Sequence, residues 1–119
     1  GFQMTLMELA TAVENNLPVK YAILNNNHLG MITQWQDFFY DGDFQAETYT
    51  ANPDFVKLAE AYGMKGIRVT SQDELESAIA EANAHDGPVI VDFVIEKVDD
   101  LYPMIPAGQS VQELIEDPN

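Results

Sequence analysis

The stretch of sequence that decides the fold is Val19-Lys20-Tyr21-Ala22-Ile23-Leu24-Asn25-Asn26-Asn27. Residues 19–24 contain few polar side chains, which is typical of a short strand with both faces covered by other elements. Three asparagines follow, and from Leu29 onward apolar residues recur at the spacing of a helix. The stretch therefore predicts a strand, a turn and a helix in succession, which is the repeating unit of an α/β fold.

Helices and strands alternate on both sides of this stretch. Apolar spacing and cap patterns predict helices over residues 5–16, 29–40, 52–63 and 71–86, with a short one near 110–115. Strand patterns cover residues 66–70 and 89–95. Strands that alternate with helices imply right-handed crossovers. We therefore predict an α/β fold in three layers, with a mainly parallel sheet and flanking helices.

Cap patterns mark several of the predicted helix ends. Residues 5–8 and 71–74 match the Ser/Thr-x-x-Glu capping box, and residues 52–53 match a cap followed by a first-turn proline. Gly63 predicts the end of the helix that residues 52–53 open. The polar, glycine-containing segment 41–51 is predicted to be a loop.

The composition excludes several classes of protein. Twenty acidic residues against five basic ones give a net charge of -15, which disfavours nucleic acid and anionic membranes as partners. Because there is no cysteine, disulfides and thiolate metal sites are excluded. The apolar runs are too short to cross a bilayer, and no signal-peptide pattern is present. We expect a cytoplasmic protein, whose acidity indicates either adaptation to high salt or an ordinary acidic surface.

The asparagines lie where a ligand site is expected, because ligands of open α/β sheets bind at the carboxyl ends of the strands. Their side-chain oxygens suit Mg²⁺ or Ca²⁺, and the N–H groups that open the next helix suit a phosphate. Alternatively, residues 25–27 form only an Asx turn that caps this helix. Spacing alone favours the turn, since no carboxylate lies nearby in the sequence.

Other candidates are weaker. His28 has no partner at metal-ligand spacing, and His85 is expected at an acidic, exposed helix end. The glycine motifs of nucleotide-binding proteins and serine hydrolases are absent. The acid pair at residues 41–43 lacks the spacing of a calcium loop and is interpreted as a turn. By spacing, the apolar stripe of Met31 and Trp35 is more typical of a core than of a ligand pocket.

The order of several segments adds information that periodicity does not. These segments are residues 1–12, 17–20, 23–26, 29–31, 34–36, 52–61, 66–70 and 102–106. Together they closely resemble the C-terminal part of the large catalytic subunits of the acetolactate synthase (acetohydroxyacid synthase) family. The resemblance covers nearly the whole chain and implies part of a thiamine-diphosphate-binding fold. It implies that residues 1–119 are a fragment of that domain, with residues 96–119 as its tail and the upstream domains absent.

The resemblance also assigns roles around the cofactor. In this family the anchoring motif starts with Gly-Asp-Gly and ends in Asn-Asn, which residues 25–26 match, so its opening would precede the first residue here. The side-chain oxygen of Asn26 and the backbone carbonyl of His28 are then implied ligands of Mg²⁺. Gly30 and Met31 match the turn that lies against thiamine diphosphate.

A substrate channel is implied as well. Trp35 matches the tryptophan that shapes the acceptor pocket in this family, and Ile32 and Phe39 match its neighbours. Ala107 and Gly108 match the tail segment that closes over the active site. No catalytic residue is expected in the chain, because the glutamate that activates the cofactor belongs to a different domain in this family.

The implied reaction is decarboxylation of pyruvate and transfer of the two-carbon unit to pyruvate or 2-ketobutyrate, in branched-chain amino-acid biosynthesis. The family also implies FAD on a domain not present here, a homodimer or tetramer, and a regulatory small subunit. Two alternatives remain: another thiamine-diphosphate enzyme, such as a pyruvate oxidase or glyoxylate carboligase, or a non-catalytic α/β binding module. Residues 34–36 and 103–106 favour the biosynthetic synthase, although the chain alone is expected to be inactive.

Overall fold

A computed structural model of the chain describes residues 1–48, 51–97 and 100–118. The chain divides into two compact units, Gly1–Asn27 with Thr50–Glu96 and His28–Tyr49 with Lys97–Asn119. The strands are β1 Lys20–Asn25, β2 Lys65–Val69 and β3 Val89–Val94. The α-helices are α1 Glu8–Glu14, α2 Gly30–Phe39, α3 Phe55–Ala61 and α4 Leu75–Ala84. Short 3-10 helices cover Phe2–Thr5, Gln72–Glu74 and Val111–Glu113.

The first unit contains a parallel sheet of three strands in the order β1-β3-β2. This confirms the predicted α/β fold, and the bounds of each strand differ from the predicted ones by at most one residue. Asn25 of β1 pairs with Val94 of β3, and Arg68 of β2 pairs with Asp92 of β3. Because all three strands are parallel, their carboxyl ends lie along one edge of the sheet.

Strand β3 forms the centre of the core, with helices packed on both of its faces. Ile90 is fully buried on one face, where α1 and α3 contribute Leu9, Phe55 and Ala59 to its cluster. On the other face, a second cluster joins residues of β2, β3 and α4: Val69, Ala78, Ala82, Val89 and Val91. The three predicted layers are therefore present around β3.

Strand β1 differs from its prediction, because its two faces are not both covered. Tyr21 and Ile23 pack against the cluster around Ile90, whereas Ala22 and Leu24 are exposed and Leu24 has 70% of its surface accessible. The physical reason is that this face continues the face of Val91, where α4 packs mainly against β2 and β3. An apolar composition predicted the strand correctly but not its surroundings.

Two of the predicted cap patterns are wrong. Thr5 lies within the first 3-10 helix, and its hydroxyl donates to the carbonyl of Phe2 at 3.2 Å instead of capping α1. Helix α3 is capped by Asp54 rather than Asn52, because the Asp54 carboxylate accepts the first free N–H groups of the helix at 3.1 and 3.2 Å. Gly63 does follow the end of α3, with a φ of +74°.

The capping box of Ser71 and Glu74 is confirmed at the turn that leads into α4. The Glu74 carboxylate accepts the backbone N–H groups of Thr70 at 2.8 Å and Ser71 at 3.2 Å. These two hydrogen bonds, the first above all, lower the pKa of Glu74 below its ordinary value. The box stabilises the start of α4 because it satisfies N–H groups that a helix leaves unpaired.

Glu74→Gln is expected to lower the melting temperature at neutral pH and to have less effect in acid. Because the pKa of Glu74 is lowered by folding, its carboxylate stabilises the folded state above the ordinary pKa of glutamate. This contribution is lost as the pH falls through the lowered pKa. Thermal unfolding at about pH 7 and about pH 3 measures it, with the exposed Glu60→Gln as control. An effect of equal size at both pH values would contradict this assignment.

The second unit combines α2 with the end of the chain. His28 and Thr48 form one antiparallel bridge, and Met104 and Ile115 form another. The short helix predicted near residues 110–115 is the 3-10 helix Val111–Glu113. No helix in the described ranges is long and apolar enough to span a membrane.

Candidate functional site

The Asn-rich turn at the end of β1 is held by its own side chains. The backbone N–H of Asn27 donates to Oδ1 of Asn25 at 3.3 Å, which closes an Asx turn. Asn27 adopts the left-handed conformation, with a φ of +58°, which asparagine tolerates better than most residues. The predicted Asx turn is confirmed, whereas the predicted cap is wrong, because the N-cap of α2 is Leu29 and no side chain caps it.

Asn52 clamps this turn from a distant part of the chain. Its Nδ2 donates to Oδ1 of Asn25 at 3.0 Å and to Oδ1 of Asn27 at 2.9 Å. Its own Oδ1 accepts from Nε2 of Gln3 at 3.0 Å. The side chain that was predicted to cap α3 therefore joins both flanks of the turn.

An ion pair with a buried carboxylate supports the turn from within the sheet. Asp92 has only 1% of its surface exposed, and its Oδ1 accepts from Nδ2 of Asn25 at 3.0 Å. Its Oδ2 accepts from Nε of Arg68 at 3.1 Å, and Nη2 of Arg68 donates to Asp54 at 2.7 Å. The carboxyl ends of all three strands and the start of α3 are thus joined through hydrogen-bonded side chains.

The charges in this network reinforce one another. The hydrogen bonds to Asp54 and then to Asp92 raise the pKa of Arg68 above its ordinary value. The backbone N–H of Lys57 is the main group that lowers the pKa of Asp54, and the Arg68 guanidinium adds to it. Both carboxylates are therefore committed to structural hydrogen bonds, and neither is presented as a metal ligand.

Asn26 lies between the two flanks of the turn and is partly buried. An amide oxygen is a hard neutral donor of the kind that Mg²⁺ accepts. Within residues 1–48, 51–97 and 100–118, no group of three His, Cys, Asp or Glu side chains could hold a metal. The amide oxygen of Asn26 is therefore the feature of this turn that fits the donor chemistry of magnesium.

His28 opens the second unit, and its ring is held by a hydrogen-bonded chain. The hydroxyl of Thr48 donates to Glu47 at 2.7 Å and lies 3.2 Å from Nδ1 of His28. The Thr48 hydroxyl therefore bridges the Glu47 carboxylate and the His28 ring. The Thr48 hydroxyl is also the main group that lowers the pKa of Glu47. The backbone of His28 is fixed by its bridge to Thr48.

Helix α2 presents its apolar stripe to solvent rather than to a core. Met31 has 76% of its surface exposed and Trp35 has 41%, and Ile32 and Phe39 are similarly open. The buried residue of the helix is Thr33, whose hydroxyl donates to the carbonyl of Leu29. The interpretation of Met31 and Trp35 as core residues is therefore wrong, because the described part of this unit leaves the stripe uncovered.

The tail lies against α2 within the second unit. Nε2 of Gln34 donates to the carbonyl of Leu101 at 2.9 Å, and the rings of Phe38 and Tyr102 are 5.2 Å apart. Ala107 and Gly108 are exposed in a turn closed by Gln109, whose N–H donates to the carbonyl of Pro106 at 3.0 Å. The structure therefore places Leu101 and Tyr102 of the tail against α2, and Ala107 and Gly108 lie in the exposed turn that follows.

Comparison with known families decides the family of the chain. Residues 1–93 match the family described as thiamine pyrophosphate enzyme, C-terminal TPP binding domain. The chain belongs to this family. The thiamine pyrophosphate enzyme domain has the parallel α/β architecture described above, which confirms the predicted fold class. The family description supports thiamine diphosphate among the predicted cofactors.

Curated relatives of this thiamine pyrophosphate enzyme domain are acetolactate synthases. The chain is 45% identical over 115 residues to the mitochondrial acetolactate synthase catalytic subunit of Saccharomyces cerevisiae, covering 97% of the chain and 17% of the relative. It is 36% identical over 116 residues to the acetolactate synthase isozyme 2 large subunit of Escherichia coli, covering 98% and 21%. The predicted resemblance is confirmed, and the chain spans about a fifth of these relatives' length.

A solved structure supports the same fold. The thiamine diphosphate-dependent 4-hydroxybenzoylformate decarboxylase of Rhodococcus jostii RHA1 superposes with a TM-score of 0.73 at 27% sequence identity. The match covers 84% of this thiamine pyrophosphate enzyme domain and 19% of the decarboxylase chain.

Proposed function

We propose that the chain is the C-terminal part of the cofactor-binding domain of an acetolactate synthase catalytic subunit, with residues 96–119 as its tail. The complete enzyme would be a transferase that decarboxylates pyruvate and passes the two-carbon unit to pyruvate or 2-ketobutyrate. The observation that supports this most is the identity of 36–45% to acetolactate synthases over nearly the whole chain. The chain by itself is proposed to be inactive, because the activating glutamate lies in another domain.

The cofactor site is proposed to lie at the Asn-rich turn and the start of α2. The side-chain oxygen of Asn26 and the backbone carbonyl of His28 would bind Mg²⁺, with diphosphate oxygens and a carboxylate from outside the described residues completing its ligands. Gly30 and Met31 would lie against the cofactor. Gly30 suits close approach, since no heavy atom lies within 4 Å of where its Cβ would be. Thiamine diphosphate supplies the carbanion-stabilising chemistry when bound.

The remaining residues of the site would bind and enclose the substrates. The exposed side chains of Ile32, Trp35 and Phe39 offer an apolar wall for the acceptor keto acid. Ala107 and Gly108 are small residues on the tail, which would close over the substrate and exclude water. The proposed roles therefore separate metal binding at the turn from substrate selection along α2.

The Trp35→Leu variant of the full-length enzyme is expected to lose about tenfold of its discrimination between 2-ketobutyrate and pyruvate. The two acceptors differ by one methylene, and a smaller side chain in the acceptor wall changes the space that distinguishes them. Competition between the two keto acids, with both products quantified, measures the ratio. Phe44→Leu is the matched control, because Phe44 is an aromatic residue of similar exposure outside the proposed wall. An unchanged product ratio in Trp35→Leu would refute the role of this residue.

Several features of the complete enzyme follow from the same proposal. FAD would bind to a domain outside this chain, and the enzyme would form a homodimer or tetramer with a regulatory small subunit. The lack of cysteine favours a reducing compartment, and we place the enzyme in the cytoplasm. Size-exclusion chromatography, flavin absorbance and cell fractionation test these three statements independently.

A different thiamine-diphosphate activity is the second candidate, favoured by the structural match to a decarboxylase. The test is incubation of the full-length protein with pyruvate, thiamine diphosphate and Mg²⁺, followed by product analysis. Acetolactate supports the synthase, whereas acetaldehyde, acetate or acetyl phosphate without acetolactate would overturn it. For the 119-residue chain, micromolar affinity for thiamine diphosphate in calorimetry would contradict the need for ligands from outside.

A further inference from the structure

We propose that Asp92 and Asn52 are positioning residues that hold the Asn25–Asn27 turn in the conformation that presents Asn26 to Mg²⁺. This inference rests on the proposed cofactor site and adds two residues to which the family resemblance gave no role at that site. Neither residue would touch the metal. Asp92 acts through Asn25, and Asn52 acts through both Asn25 and Asn27, by the contacts already described.

The network fixes the amide of Asn25 in one orientation. The Asp92 side-chain oxygen accepts from Asn25, so the atom of Asn25 that faces it is the donor Nδ2. Oδ1 of Asn25 is thereby directed toward two donors, the backbone N–H of Asn27 and Nδ2 of Asn52. Because the buried carboxylate binds Nδ2 of Asn25, Oδ1 of Asn25 is left to accept the hydrogen bond that closes the Asx turn.

The position of Asp92 is itself fixed by its neighbours. It lies 1% exposed in the central strand, and Arg68 across the strand pair binds its other oxygen. Arg68 also binds Asp54, the cap of α3. Because all these contacts lie within the first unit, the orientation of the turn depends on the packed sheet rather than on the loop alone.

Asp92→Asn tests this logic without a change in size. If the new amide keeps its oxygen toward Arg68, its nitrogen faces Nδ2 of Asn25, and the Asn25 amide must rotate. The backbone N–H of Asn27 would then face a donor, and the Asx turn would lose its hydrogen bond. In the opposite orientation the new nitrogen faces Nε of Arg68. In both orientations Arg68 keeps its ion pair with Asp54.

The experiment uses the full-length protein and two independent measurements. Hydrogen exchange without metal or cofactor is expected to increase in a peptide covering residues 24–28 of Asp92→Asn, and not in peptides of α4. Calorimetric titration of Mg²⁺ in the presence of thiamine diphosphate is expected to show about tenfold weaker binding, the usual effect of changing a group that orients a metal ligand. Asn52→Ala, which leaves the buried carboxylate intact, is expected to change both measurements in the same direction.

Glu81→Gln is the matched control, because it also converts a carboxylate to an amide and breaks an ion pair, the one with Lys65 at the opposite end of β2. It is expected to leave both measurements unchanged. If Asp92→Asn and Asn52→Ala both bind Mg²⁺ with an affinity within twofold of that of the unmodified protein, this inference is overturned and the proposed function is not. Exchange that increases equally in all peptides would also overturn it, since that result indicates general loss of stability. An unmodified protein that binds no Mg²⁺ would overturn the proposed function and this inference together.

Discussion

Ile90→Ala is expected to lower the free energy of unfolding of the chain by about 4 kcal/mol. Ile90 is fully buried in the central strand and packs with residues of α1 and α3, including Leu9, Phe55 and Ala59. Removing three carbons there leaves a cavity that neighbours on a regular strand cannot fill by moving. The expected loss therefore combines lost burial of apolar surface with an unfilled volume.

Urea denaturation followed by circular dichroism measures this difference, and Ile79→Ala is its matched control. Ile79 has 44% of its surface exposed on α4, and alanine is the better helix former. The control is therefore expected to change stability by less than about 1 kcal/mol. Similar losses in the two variants would contradict the placement of Ile90 at the centre of the core.

Gly66→Ala is expected to destabilise the chain by about 3 kcal/mol. A Cβ on Gly66 would lie 2.9 Å from both Cα and the carbonyl oxygen of Val56, and 3.1 Å from Cβ of Ala59. Two of these three atoms belong to the backbone of α3, which cannot rotate away as the end of a side chain can. The helix would have to move off the sheet, and it would lose contacts with β2 and β3.

Gly30→Ala provides the comparison, because the chemical change is the same and the space differs. No heavy atom lies within 4 Å of the Cβ position of Gly30, the first residue of α2. Its free energy of unfolding is expected to stay the same or rise by up to about 1 kcal/mol. A Gly66→Ala variant as stable as Gly30→Ala would show that α3 does not approach β2 as closely as described.

Local patterns were sufficient to predict the elements of the fold. The apolar run at residues 89–95 predicted a strand, and the structure places it in the centre of the sheet, where both faces are buried. The capping box at residues 71–74 was confirmed because both of its partners lie within four residues. Wherever the deciding contacts are close in sequence, composition and spacing contain the necessary information.

The two failed cap predictions have a common physical cause, which is competition from a partner that the pattern does not include. Thr5 resembles a cap, but its hydroxyl donates to the carbonyl of Phe2 in the preceding turn. Asn52 also resembles a cap, yet its side chain bonds to Asn25 and Asn27, which lie 27 and 25 residues before it in the sequence. Asp54 caps α3 instead. When a side chain has two possible sets of partners, the sequence alone does not show which set it binds, because the distant set comes near only in the folded chain.

The candidate site was predictable in part for the same reason. The Asx turn depends on atoms two residues apart and was anticipated from the sequence, whereas Asp92 lies 67 residues from the asparagine it binds. One signal was present, since an acid inside an otherwise apolar strand requires a partner. Its identity as Arg68 and Asn25 depends on the strand order β1-β3-β2, which no local pattern specifies.

The strand order also has a consequence for the solution behaviour of the chain. Within the described residues, β1 and β2 each have one neighbouring strand, so the sheet ends in two open edges. An open edge presents rows of backbone donors and acceptors that another extended segment can pair with. The same sheet that forms the core is therefore a template for strand addition. Another polypeptide can pair with its edges, and in concentrated solution a second copy of the chain can pair with them instead.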